Sequence, residues 1–165
     1  MLRTDLAAEL RRRADTDQRA RNRYLQTGEF EDIARIDTQN TAWLKAALAE
    51  HGWPGITLVG DQGADDAWPL VQHADRDPEF QRQALVQLEA AVEAGDAPAR
   101  HLAYLTDRVL VGDGKPQLYG TQYTDEGGSL RRQPVHDPDH LDERRTAMGL
   151  DTAAAYDQRM QQTHR

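Results

Sequence analysis

The chain has 165 residues, the size of one compact domain, with a formal net charge of −8 from 28 acidic and 20 basic residues and no cysteine. That balance repels phosphate backbones, so nucleic acid is not an expected partner. Without thiols, disulfides, thiolate nucleophiles and cysteine-bound zinc or iron–sulfur centres are excluded.

No apolar run approaches the roughly 20 residues that span a bilayer, and the start MLRTDLAAELRRRADTDQ has no hydrophobic signal core. A cytoplasmic protein with no membrane partner is the expectation. Arg11-Arg12-Arg13 is the one strong basic cluster, and its acidic flanks read as a solvated helix face.

Thr4 or Asp5 can cap a first helix running to about Tyr24, with Leu2, Leu6 and Leu10 as an apolar stripe that turns polar at Asp17, Gln18 and Arg21. Those three read either as a helix end leaving the core or as side chains reaching a shared polar centre. A second helix spans about Glu29 to Glu50 and stops at Gly52. Asp37 and Asn40 interrupt its stripe of Phe30, Ile33, Trp43/Leu44 and Leu48. Buried, they must be hydrogen-bonded, to one another or to a ligand.

Ile56–Val59 reads as an extended connector and Gly60 to Asp66 as a reset, followed by a third helix in which Pro69 must lie in the first turn or kink it. His73 ends that helix in Gln72-His73-Ala74-Asp75. Asp77-Pro78 then opens a fourth helix to about Ala94, as N-cap and N1. A fifth, short helix runs from Asp96-Ala97-Pro98 to Leu105 or Thr106.

Next, two short alternating runs flank Gly112-Asp113-Gly114-Lys115, which reads as a hairpin turn. Alternation places Val109, Val111, Leu118, Gly120 and Gln122 on one side and Arg108, Leu110, Gln117, Tyr119 and Thr121 on the other. Ser129 to Val135 suits an edge strand, and helices over Pro138–Met148 and Thr152–Gln161 close the chain. The fold expected is α+β and mainly helical: five to seven helices with a small antiparallel hairpin or three-stranded ribbon, in a single domain.

His73 is the sharpest functional candidate, as acid or base with Asp107 or Asp75 orienting it; it could equally cap its own helix. Arg108 could bind an anionic group bidentately or lock a structural ion pair. Gln117 and Tyr119, with Gln72, Asp37, Asn40 and Gln122, are candidate substrate-binding residues. His136-Asp137-Pro138-Asp139-His140 has metal-like composition, but Asp137-Pro138 reads as a helix start and no third ligand is evident, so neither a metal nor another cofactor is expected. There is no glycine-rich phosphate loop and no G-x-S-x-G elbow, and the only serine is Ser129.

The blocks Asp17-Gln18-x-x-Arg21, Asp37-x-x-Asn40, Gly52-Trp53-Pro54, Gln72-His73-Ala74-Asp75, Asp107-Arg108, Gln117-x-Tyr119-Gly120-Thr121-Gln122 and Asp142-x-Arg144-Arg145 resemble a bacterial family of unknown function, domain of unknown function 6624. The resemblance covers nearly the whole chain; Pro69 departs from it, standing where a longer apolar residue is expected. It implies no activity. From the residues, the expectation is a metal-independent acid–base enzyme, a hydrolase or group transferase, on a small polar or anionic molecule. The alternative is a non-catalytic binding protein, such as a sensor, an immunity-type partner or a biosynthetic helper. All these polar blocks are expected to converge on one pocket.

Overall fold

The structure, a computed structural model, describes residues 1–163. Its elements in chain order are α1 (Thr4–Thr27), α2 (Glu31–His51), α3 (Ile56–Gln72), α4 (Pro78–Glu93), α5 (Ala99–Gly112), β1 (Tyr123–Asp125), β2 (Leu130–Arg132), a 3₁₀ turn (Pro138–His140), α6 (Leu141–Ala147) and α7 (Ala153–Thr163). The mainly helical α+β class is therefore correct. The chain contacts divide into two compact units, Met1–Ala97 and Pro98 onward. Among the described residues no helix is long and apolar enough to cross a membrane.

In the first unit α1 packs on α2 and α3, α2 on α3, and α3 on α4. The stripes that make this possible are those spaced at a helical repeat: Leu6 and Leu10, Ile33, Leu44 and Leu48, Leu70 and Val71, Phe80 and Leu88, all buried. Each such side chain contributes about 1.5–3 kcal/mol on burial. Leu2 and Phe30, expected in the stripes, are instead 54% and 52% exposed: Leu2 precedes α1 and Phe30 is the N-cap of α2, so neither belongs to a helical face. At α4, Asp77 Oδ1 accepts the Phe80 N–H at 3.1 Å with Pro78 in the first turn, as the sequence predicts.

α3 differs from expectation. Ile56–Val59 is not an extended connector but a first helical turn, capped from Asp96. The Asp96 carbonyl accepts Ile56 N–H at 2.8 Å, and its carboxylate accepts Thr57 N–H at 2.7 Å. Gly60 (φ 75°, ψ 170°) then breaks the axis before the helix resumes. Pro69 lies well inside this helix without breaking it; the only non-helical dihedrals are those of Gly60.

The second unit contains the largest correction. The alternating runs around Gly112–Lys115 are not a hairpin: α5 continues through Val109–Val111 to Gly112. The Gly-Asp-Gly-Lys segment is a helix stop. Gly114 adopts φ 70°, its N–H donates to Val111 O at 3.0 Å, and the Lys115 N–H donates to Leu110 O at 2.9 Å. This is the paired-bond C-cap that a left-handed glycine permits. The hairpin lies later, as β1 and β2, antiparallel with Tyr123 opposite Arg132 and Asp125 opposite Leu130. Ser129–Val135 does supply the second strand, and Gln117 adds an isolated parallel bridge to Val135.

Candidate functional site

On α1, Asp17 and Arg21 are one turn apart and Asp17 is 4% exposed. On α2, Asp37, Thr41 and Lys45 repeat at four-residue spacing and so share a face. His73 is the C-cap of α3, where the chain turns toward α4. These elements bring Asp17, Arg21, Asp37 and His73 together. Arg21 Nη2 donates to Asp37 Oδ1 at 2.6 Å, and its Nε lies 3.2 Å from Asp17 Oδ2 and 3.0 Å from His73 Nδ1. His73 Nδ1 is also 3.0 Å from Asp17 Oδ2.

That last pair of distances sets up a choice. Nδ1 either carries a hydrogen and donates it to Asp17, or offers its lone pair to the Arg21 Nε–H. In the first state Nε2 keeps a lone pair and Arg21 turns to the two carboxylates. In the second, Nε2 carries the hydrogen. The position of Arg21 and the tautomer of His73 are therefore coupled.

The two carboxyls are pushed in opposite directions. Burial works against the charged form of Asp17, but the hydrogen bond to His73 and the charges of His73 and Arg21 outweigh it and hold the group below its ordinary range. Burial dominates at Asp37 and raises it, against the pull of Arg21 and His73. Two carboxyls held apart in this way can take different proton roles at one pH.

His73 and Asp37 line a pocket of about 290 Å³ whose other walls include Thr41, Lys45, Arg76 and Asp77. Lys45 pairs with Asp77 at 2.7 Å. Arg76 is exposed at the rim. The sequence reading did not single out Thr41, Lys45 or Arg76; the four-residue repeat from Asp37 was the available signal for the first two. Asp17, Asp37 and His73 each offer one ligand atom within 4.8 Å of the others, so they are also the residues that could hold a divalent cation; Arg21 supplies a cation to all three.

The remaining candidates have other surroundings. The carboxylate that bonds His73 is Asp17. Asp75 accepts from Gln81 Nε2 at 3.2 Å, and Gln81 also bonds the Val71 and Gln72 carbonyls that end α3. Gln72 is buried at that helix end. Asn40 Oδ1 accepts from Arg13 Nη1 at 3.0 Å, and its Nδ2 makes no bond to Asp37. Gln18 bonds Asn22 on the surface.

In the second unit Asp107 is fully buried and accepts Leu118 N–H (2.7 Å), Tyr119 N–H (3.0 Å), Thr121 N–H (2.9 Å) and the Thr121 hydroxyl (2.9 Å). Burial pushes its carboxyl up against those four donors. Gln117, also fully buried, donates to the Gln122 and Gln133 carbonyls at 3.0 and 2.9 Å and accepts Gln122 N–H at 2.8 Å. Arg108 Nη1 donates to Gln122 Oε1 at 3.0 Å. Tyr119 contributes its backbone: N–H to Asp107, carbonyl to Arg145 at 2.6 Å. Gly120 sits between them at φ 66°, where a Cβ would come within 3.2 Å of Arg132 Cδ and 3.3 Å of Leu141 Cδ2. Asp107, Gln117 and Gly120 thus build a loop. Arg145, 0% exposed, also bonds Asp151 and stacks 5.0 Å from the Tyr156 ring centre. In the 136–140 segment, the Asp137 side chain makes no helix-cap bond and pairs with His140 at 2.9 Å on the surface.

The model of a family of unknown function, DUF6624, matches residues 4–164. No curated protein and no solved structure matches the chain.

Proposed function

The chain belongs to this family of unknown function, which brings no activity with it, and from the geometry we propose that it is an acid–base enzyme acting on a small polar or anionic molecule in the His73 pocket. The observation that carries this is His73 itself: Nδ1 is held by Asp17 at 3.0 Å while the ring lines the cavity, leaving Nε2 for a ligand. Nε2 takes a proton from water or a substrate hydroxyl as its oxygen attacks, and returns it to the leaving group. Asp17 fixes the ring and balances the imidazolium. Arg21 holds both carboxylates and shifts toward them when Nδ1 carries its hydrogen. Asp37, raised by burial, is the second proton carrier, and Lys45 and Arg76 face the anionic part of the substrate. This inventory suits hydrolysis or group transfer.

The test is turnover of a panel of small chromogenic carboxylate and phosphate esters by the full chain, His73→Gln and Asp17→Asn. The expected result is at least one substrate whose turnover falls by about 10²-fold or more in His73→Gln, with a pH profile governed by one group between about 5.5 and 8. The alternative is a binding protein that uses the same pocket without turnover. It would show saturable binding that survives His73→Gln, and no ester turned over.

A further inference from the structure

A second cavity, of about 400 Å³, opens on residues that the acid–base chemistry does not use: Arg12, Arg13 and Thr16 of α1 and Arg35, Gln39 and Asn40 of α2. Its lining holds three guanidinium groups and no carboxylate. Arg13 is the fixed one. Its side chain is 16% exposed, its guanidinium lies 4.6 Å from the centre of the Trp43 ring, and Nη1 donates to Asn40 Oδ1 at 3.0 Å. That bond also fixes the Asn40 amide, because a guanidinium only donates and must face the carbonyl oxygen.

Asn40 Nδ2 is then left buried with no acceptor, in a residue 4% exposed. Unmet buried donors are uncommon and costly, so an acceptor is called for here. The surrounding charge agrees. Glu9 pairs with Arg12 (2.6 Å) and Arg13 (2.7 Å), and Asp32 with Arg35 and Arg23 (3.0 Å each). Of the three lining guanidiniums, Arg12 and Arg13 share Glu9, and Arg35 has only an Asp32 that Arg23 also uses, which leaves an excess of positive charge beside an unmet N–H.

We infer that this cavity between α1 and α2 is an anion site for a small organic phosphate, its oxyanion accepting from Asn40 Nδ2 and from the guanidiniums of Arg13 and Arg35. A phosphate group offers the several acceptor oxygens that such a donor set needs, and the volume leaves room for an attached organic body. The Asp37-x-x-Asn40 block thereby splits by side: Asp37 serves the His73 pocket and Asn40 this one.

The probes are inorganic phosphate and pyrophosphate, titrated into the full chain at constant ionic strength set with chloride. Side-chain NMR signals of Asn40 NH₂ and Arg13 Nε–H are followed. Saturable shifts confined to Asn40, Arg13 and Arg35 are expected. Asn40→Asp should weaken binding about tenfold or more. Arg35→Gln, an exposed change that leaves the packing alone, should weaken it about threefold. His73→Gln should leave it unchanged, which separates this site from the acid–base one. Shifts that do not saturate, that chloride reproduces, or that both cavity variants leave intact would overturn the assignment.

Discussion

Asp107→Ala should unfold the loop from Leu118 to Thr121 that its carboxylate holds. The carboxylate takes four donors, of which Thr121 N–H and the Thr121 hydroxyl are buried, while Leu118 and Tyr119 N–H are partly so. An unmet buried donor costs about 1–3 kcal/mol, and a part-buried one recovers most of that from water. Two full losses near the middle of that range come to about 4 kcal/mol. Removing a carboxyl whose ionised form is disfavoured by burial returns part of it, so a net loss of about 2–4 kcal/mol is expected. Asp107→Asn keeps one acceptor oxygen and should lose about half as much. Urea unfolding gives the free energies, and amide hydrogen exchange locates them: the Leu118, Tyr119 and Thr121 amides should lose protection first. A variant within about 0.5 kcal/mol of the parent, with those amides still protected, would show that the carboxylate is not what holds the loop.

Asp17→Asn should destabilise the first unit by about 1–3 kcal/mol at neutral pH, since it removes the buried charge and one of the two acceptor oxygens that face Arg21 and His73, both partly exposed. The pH dependence has opposite signs at the two carboxyls. The Asp17 value is lowered on folding, so its stabilisation is present above the ordinary carboxylate range and lost as pH falls through the depressed value. The Asp37 value is raised, so ionising it costs stability above that value, and the cost is relieved on acidification. Chemical denaturation from pH 3 to 7 should therefore show a steeper acid loss in Asp37→Asn than in Asp17→Asn; parallel curves would contradict the paired shifts. Arg145→Lys should not rescue Arg145→Ala in a melting experiment, because one ammonium cannot span the Tyr119 carbonyl, the Asp151 carbonyl and the Asp151 carboxylate together while stacking on Tyr156.

The sequence shows α1, α2 and α4 well because each carries both a helical apolar repeat and an end signal, such as Asp77-Pro78 or Gly52. It misleads at α5. Val109-Leu110-Val111 fits a strand by composition and alternation, and glycine in a left-handed turn ends a helix as readily as it makes a hairpin. Only the tertiary partner decides, and here Asp107, one turn before that end, folds the following loop back onto the helix. The same reasoning explains the polar residues. Their interruption of apolar stripes marks Asp17, Arg21 and Asp37 as unusual, yet spacing along one helix cannot say which partner they meet on another. Hence the sequence offers Asp75 and Asp107 as carboxylates for His73, and the Asp17 that packing of α1 against α3 brings to its Nδ1 lies on another helix, 56 residues away. The hydrogen-bonding richness of Gln117, Tyr119 and Gln122 reads as a ligand face until their backbone partners are known, and most of it is spent within the loop.

The most direct test of the acid–base account is the tautomer of His73, read from long-range ¹H–¹⁵N couplings of the ring nitrogens with no ligand needed. The account predicts that the uncharged ring carries its hydrogen on Nδ1, bonded to Asp17, with a bare Nε2. In Asp17→Asn the hydrogen should move to Nε2 as Nδ1 accepts from Arg21. A hydrogen on Nε2 in the parent protein would leave no base facing the pocket and would contradict the account.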